Sequence, residues 1–106
     1  MFVEINVADA AERGVKDGGW VWVTGPENNS RARMKALVTE RVGRGVAWMP
    51  FHFAGWFEGA DLRARYPKGA DPIVLGESVN TLTTYGYDPA TGMQEPKATL
   101  CQIRAA

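Results

Sequence analysis

The chain reads as a mainly β domain with one or two short helices, its strands numerous and short enough to close into a small barrel. Three observations point there. Residues 31–39 alternate between apolar and polar at every position but Leu37, Trp20-Val21-Trp22-Val23-Thr24 concentrates the aromatic and β-branched residues that suit strands, and glycine- or proline-bearing turns separate most of the apolar runs. With 106 residues there is room for one hydrophobic core and no second, so residues 1–106 are taken as a single domain.

The elements follow in order. Phe2 to Ile5 is a short strand. Asn6 then offers an N-cap, Asp9 lies near the positive end of the helix dipole, and Val7, Ala10 and Ala11 share one face. Gly14 ends this helix, because glycine can take the left-handed cap conformation, and Val15 can fold back onto the last turn. Asp17-Gly18-Gly19 turns the chain into the Trp20–Thr24 strand, and residues 25–29 turn it again. In the next strand Ala32, Met34, Ala36 and Val38 face one way and Arg31, Arg33 and Lys35 the other. Beyond Gly43 and Gly45, Val46 to Met49 is continuously apolar and reads as a strand buried on both sides.

Residues 53–78 carry Gly55, Gly59, Gly69, Gly76, Pro67 and Pro72 and no sustained period, apart from one helical turn expected over 61–66. So long an irregular stretch is uncommon unless it is functional or packs on something else. A second irregular stretch, 85–96, leads into a last strand near 97–104. Four to six strands would fit a small barrel.

Composition narrows the function classes. Twelve basic residues balance twelve acidic ones, so no overall field recruits a nucleic acid or a membrane surface. One cysteine and one histidine cannot make an internal disulfide or a metal-ligand cluster. No apolar run approaches the roughly 20 residues that span a bilayer, and the first residues carry no targeting pattern. Paired carboxylates, a nucleophile elbow and a phosphate-binding glycine loop are all missing, so no catalytic residue is assigned.

Several polar residues have both a functional and a structural reading. His52 stands among aromatics at the end of an apolar run, where scaffold gives way to loop, and could meet a ligand or be satisfied by backbone carbonyls. Asn80 follows the long irregular stretch; its amide could read the edge of a heterocycle or cap its own backbone. Lys97 could neutralise a ligand oxygen or serve as a solvated strand lysine. Cys101 reads as core filler. Trp20 and Trp22 share a face and read as packing, and Arg31, Arg33 and Lys35 as the wet face of a strand.

Taken together, Val3-Glu4-Ile5-Asn6 with Ala8 to Gly14, Lys16-Asp17-Gly18, Trp20-Val21-Trp22-Val23, Ala36-Leu37-Val38-Thr39 with Arg41-Val42, Met49 to Phe53, Asn80-Thr81-Leu82-Thr83, and Asp88-Pro89 leading to Glu95-Pro96-Lys97 resemble one family. The chain is similar to the C-terminal molybdopterin-dinucleotide-binding domain of formate dehydrogenase catalytic subunits, in the dimethyl sulfoxide reductase superfamily. The likeness runs over nearly the whole sequence and rests on the order of the motifs rather than on any one.

The resemblance implies a double-psi β-barrel that closes over molybdopterin guanine dinucleotide carrying molybdenum or tungsten. It implies that His52, Asn80 and Lys97 lie at the cofactor face, with Phe51 and Glu95 beside them. Family members carry a further strand ahead of the Val3-Glu4-Ile5-Asn6 stretch, which leaves open a barrel short of its first strand. The metal ligand and an iron–sulfur cluster belong to upstream domains of such a subunit, so these residues are not expected to catalyse formate oxidation alone. Upstream domains and electron-transfer subunits are the implied partners, with a periplasmic setting if the parent is respiratory and a cytoplasmic one otherwise. The same kind of domain serves nitrate reductases, and a freestanding ligand-binding β-barrel module is the remaining alternative.

Overall fold

The computed structural model describes all residues except 28, 52–54, 58, 66, 69–75, 85, 95 and 96, and only the backbone of 57 and 63. Among the described residues there are seven strands: β1 (Phe2–Ile5), β2 (Trp20–Thr24), β3 (Arg31–Val38), β4 (Ala47–Trp48), β5 (Trp56–Phe57), β6 (Ala60–Asp61) and β7 (Gln102–Ala105). One α-helix, α1 (Val7–Glu12), and two 3-10 turns, Arg63–Arg65 and Val79–Thr81, complete the elements among the described residues. The fold is mainly β, as the alternation and turn spacing predict.

Five strands form one sheet in the order β4-β1-β3-β2-β7, and β5 pairs with β6 as a separate hairpin. The central pair, β1 and β3, is parallel, with Val3 beside Ala36 and Ile5 beside Val38; β4, β2 and β7 join antiparallel. The sheet is open at β4 and β7 among the described residues, an arrangement consistent with a partial β-barrel.

Side-chain alternation divides the sheet into two faces. Val3, Ile5, Val21, Val23, Ala32, Met34, Ala36 and Ile103 are buried on one, with Ala10, Val15, Val79 and Leu82 packed over them as a single core. Burial of this apolar surface is the main force holding the sheet to α1 and to the Val79–Thr81 turn. The other face carries Trp20 and Trp22, paired across strands with Lys35 and Arg33. Trp20 stacks on Trp56 with ring centroids 4.6 Å apart, Lys35 lies 4.3 Å from the Trp20 ring and Arg31 4.5 Å from the Trp22 ring. The tryptophans therefore pack, as expected, but Arg33 and Lys35 are half-buried against them through cation–π contacts instead of lying on a wet face. Gly59 makes this packing possible: at φ +81° a Cβ there would come within 2.9 Å of the Trp22 ring.

The helix follows its capping residues closely. The Asn6 side chain accepts the Ala8 N–H, while its own amide donates to the Val42 carbonyl at 2.9 Å. At the other end Val15 N–H reaches the Ala10 carbonyl and Gly14 N–H the Ala11 carbonyl, with Gly14 at φ +63°, which is a Schellman cap.

The helix face differs from the apolar spacing. Only Ala10 of the three aligned residues is buried; Val7 is 46% exposed and Ala11 is exposed, while Asp9 is buried. Asp9 accepts the Gly45 N–H at 2.6 Å and lies 3.5 Å from Arg44, so α1 is anchored to the loop before β4 by a paired carboxylate. The Val46 to Met49 run is also corrected. Its ordered part, β4, pairs with β1 alone at the sheet edge, and Val46 and Trp48 are 55% and 50% exposed. Continuous apolarity cannot separate a doubly buried strand from an edge strand that waits for a neighbour.

In the irregular region, the helical turn expected over 61–66 is the Arg63–Arg65 3-10 turn, behind the β5–β6 hairpin. The last strand starts later than expected, at Gln102.

Candidate functional site

The polar residues around Asn80 are held by a buried anchor on one side and a tight turn on the other. Glu77 is 1% exposed and clasps β3: its N–H donates to the Arg33 carbonyl at 3.1 Å and its Oε2 accepts the Arg33 N–H at 2.5 Å. Gly76, at φ +105°, brings the chain in against Met1 and the Arg33 carbonyl, where a Cβ would lie 2.9 Å from the Met1 Cβ. Val79 and Leu82 then bury their side chains in the core, which fixes the turn between them.

Within that turn the capping is done by Ser78, whose Oγ accepts the Asn80 N–H at 3.2 Å. The Asn80 carbonyl accepts from Thr83 Oγ1 at 3.3 Å. Asn80 thus has its backbone satisfied by neighbours, and its side-chain amide makes no hydrogen bond to described residues. The local capping role in this turn belongs to Ser78.

Asn80 opens onto a cleft of about 420 Å³ that it lines together with Thr83, Thr84, Gly86, Tyr87, Gly92 and Gln94. The far wall is a small hairpin in which Tyr87 bridges to Gln94 and Asp88 exchanges backbone bonds with Gly92 and Met93. Asp88 Oδ1 also accepts the Ala90 and Thr91 N–H groups, at 2.7 and 3.2 Å, and so stiffens the tip. The cleft combines two amides and three hydroxyls, one of them on an aromatic ring, a set able to meet the donors and acceptors on the edge of a flat heterocycle.

The other candidates are placed separately. Phe51 is half-buried and packs against the core, and Lys97 is exposed; neither is among the described residues lining the Asn80 cleft. His52 and Glu95 lie outside the described residues. Sequence reasoning did not single out Thr84, Tyr87 or Gln94 as site residues, and nothing in their local pattern marks them; only the hairpin's return brings them to Asn80.

Cys101 is half-buried against the core, beside a cavity of about 70 Å³ lined by Asp9, Arg13 and Ile103 among others. Burial pushes its thiol pKa above the usual value, and the positive charge of Arg13 pulls more weakly the other way. Because the folded thiol pKa is raised, the stabilising contribution is complete below the unfolded thiol pKa and is lost as pH rises through the folded one. Stability is therefore expected to fall more steeply from neutral into alkaline pH in the wild type than in Cys101→Ala, measured by urea denaturation. Parallel curves for the two proteins would show that Cys101 does not contribute. Among the described residues no three His, Cys, Asp or Glu side chains gather as they would to hold a metal, and no helix is long and apolar enough to cross a membrane.

Comparison with known proteins bears on what this cleft is for. A sequence model described as "Molydopterin dinucleotide binding domain" matches residues 1–100. An F420-dependent formate dehydrogenase 2 subunit alpha of Methanococcus maripaludis is 34% identical over 103 residues, covering 97% of this chain and 12% of that protein. A formate dehydrogenase 2 subunit alpha (cytochrome c-553) of Nitratidesulfovibrio vulgaris is 33% identical over an alignment covering 100% of this chain and 10% of that protein. The chain thus spans about a tenth of the length of these relatives.

Proposed function

The chain belongs to the molydopterin dinucleotide binding domain family, and from that premise we propose that it is the cofactor-closing domain of a formate dehydrogenase catalytic subunit. The observation that carries the reading is that both relatives, similar across essentially the full chain, are alpha subunits of formate dehydrogenases. The Asn80 cleft supports it, since a side-chain amide with no partner among the described residues, set among hydroxyls, suits a pterin or guanine edge.

In this reading the group bound is molybdopterin guanine dinucleotide, shared with upstream domains of the same subunit, and the sheet forms part of a double-psi barrel. When bound, its molybdenum or tungsten supplies the acceptor for the two electrons that leave formate, which departs as carbon dioxide with release of a proton. This chain's residues bind and orient. Asn80, Thr83 and Gln94 meet the heterocycle edge, and His52, Lys97, Phe51 and Glu95 are the further residues that the family resemblance assigns to the cofactor. The domain covers the cofactor and keeps water from it, which strengthens every polar contact beneath. An iron–sulfur cluster in the upstream part and separate electron-transfer subunits would carry the electrons away.

The test uses the subunit that carries this domain. Purified protein is expected to contain molybdenum or tungsten and to reduce a dye with formate; metal-loaded protein that oxidises no formate but reduces nitrate would move the assignment to another enzyme of the superfamily.

A further inference from the structure

Arg33 Nε, Trp56 Nε1 and Glu77 Oε1 are buried polar atoms without a hydrogen-bond partner among the described residues. Backbone pairing brings their three residues together. The Glu77 N–H donates to the Arg33 carbonyl at 3.1 Å, the Trp56 N–H donates to the Gly76 carbonyl at 3.0 Å, and Trp56 and Glu77 form a parallel bridge. Glu77 therefore lies between the other two, and its Oε2 already accepts the Arg33 N–H at 2.5 Å. The side chains of Arg33 and Trp56 also converge, with the guanidinium carbon 5.9 Å from the ring centroid.

A buried donor or acceptor left unmet forfeits the hydrogen bond it makes to solvent in the unfolded chain, a loss that folded proteins almost always avoid. The two nitrogens are donors and Glu77 Oε1 is an acceptor, yet no direct bond joins it to either of them. Arg33 also stands back from its neighbours. Its guanidinium carbon lies 5.2, 5.9 and 6.0 Å from the Trp20, Trp56 and Trp22 rings, against 4.5 Å for Arg31 over Trp22 and 4.3 Å for the Lys35 ammonium over Trp20. Complementary groups too far apart for a direct bond are the kind that water spans.

The donor set selects the occupant. A metal cation would face two N–H donors, and an anion would face the Glu77 carboxylate. Water accepts two hydrogen bonds and donates to the carboxylate, which gives it the three partners typical of a buried site.

We propose that one water molecule is held here as part of the fold, accepting from Arg33 Nε and Trp56 Nε1 and donating to Glu77 Oε1. It ties the β5–β6 hairpin to β3 through the residue that anchors the Asn80 turn, so three segments remote in sequence share one fastening.

The experiment is a crystal structure of the subunit that carries this domain, at a resolution that shows ordered water, with three variants. One water about 3 Å from all three atoms is the expected result. Trp56→Phe removes a donor but keeps a ring for the stack on Trp20, and is expected to leave the water without a single ordered position. Glu77→Gln should do the same, because the amide nitrogen that replaces Oε1 is a donor, while its remaining oxygen keeps the clasp on Arg33. Trp20→Phe alters the same stack but none of the three bonds, and should retain the water.

A direct bond from Arg33 Nε to Glu77 Oε1 with no water between them would overturn the proposal, as would a water that touches Glu77 alone. A water that keeps its place in both Trp56→Phe and Glu77→Gln would overturn the bond assignment. Its loss in Trp20→Phe would also do so, since ring packing rather than hydrogen bonding would then hold it.

Discussion

Leu82→Ala is expected to destabilise the domain by about 2–5 kcal/mol, the range for emptying a fully buried leucine site. Leu82 is 1% exposed, sits in the common core, and its N–H closes the turn on the Val79 carbonyl at 2.9 Å. The loss should appear as a lower urea midpoint with little change in slope. It should also reach the cleft, because Leu82 separates Asn80 from Thr83 and its carbonyl abuts Gly25. A loss below about 1 kcal/mol would mean that the site collapses around the cavity, and that the turn does not depend on this anchor.

Glu77→Ala is expected to cost about 1–3 kcal/mol, since it leaves the Arg33 N–H buried without its acceptor. The conservative change separates charge from hydrogen bonding. Glu77→Gln keeps a side-chain oxygen for Arg33 N–H, and Oε1 has no partner among the described residues, so little is lost with the charge. Glu77→Gln should therefore stay close to wild type, with the Arg33 amide protected from hydrogen exchange in it and exchanging faster in Glu77→Ala. Equal destabilisation by both substitutions would show that the carboxylate charge matters and that the clasp on β3 has been misread.

These two residues mark how far the sequence could be read. Strands with clean alternation, β2 and β3, were legible because a residue's face follows from its number alone. The Gly14 cap was legible for a similarly local reason. Glu77 was not, since its partner lies 44 residues away and nothing beside it in the chain marks it as buried. Asp9 was read as a helix-dipole charge but proved to be a tether to Gly45, another partnership set by the fold. A six-residue helix offers too few positions for periodicity to find its inner face.

The candidate site divides along the same line. Asn80 is proposed through family resemblance, because its position in the chain also fits a backbone cap; in the structure Ser78 caps that turn. The residues that complete the cleft come from a hairpin closed by Asp88, and only the return of that hairpin brings Gln94 beside Tyr87.

If the domain holds the dinucleotide cofactor through the Asn80 face, as proposed, cofactor content depends on that face. Wild-type subunit, His52→Ala and Asn80→Ala would be purified in parallel, and bound metal and pterin measured before formate-dependent dye reduction. Asn80→Ala and His52→Ala are expected to lose cofactor together with activity while the protein stays folded. Full metal and pterin with normal turnover in both variants would contradict it.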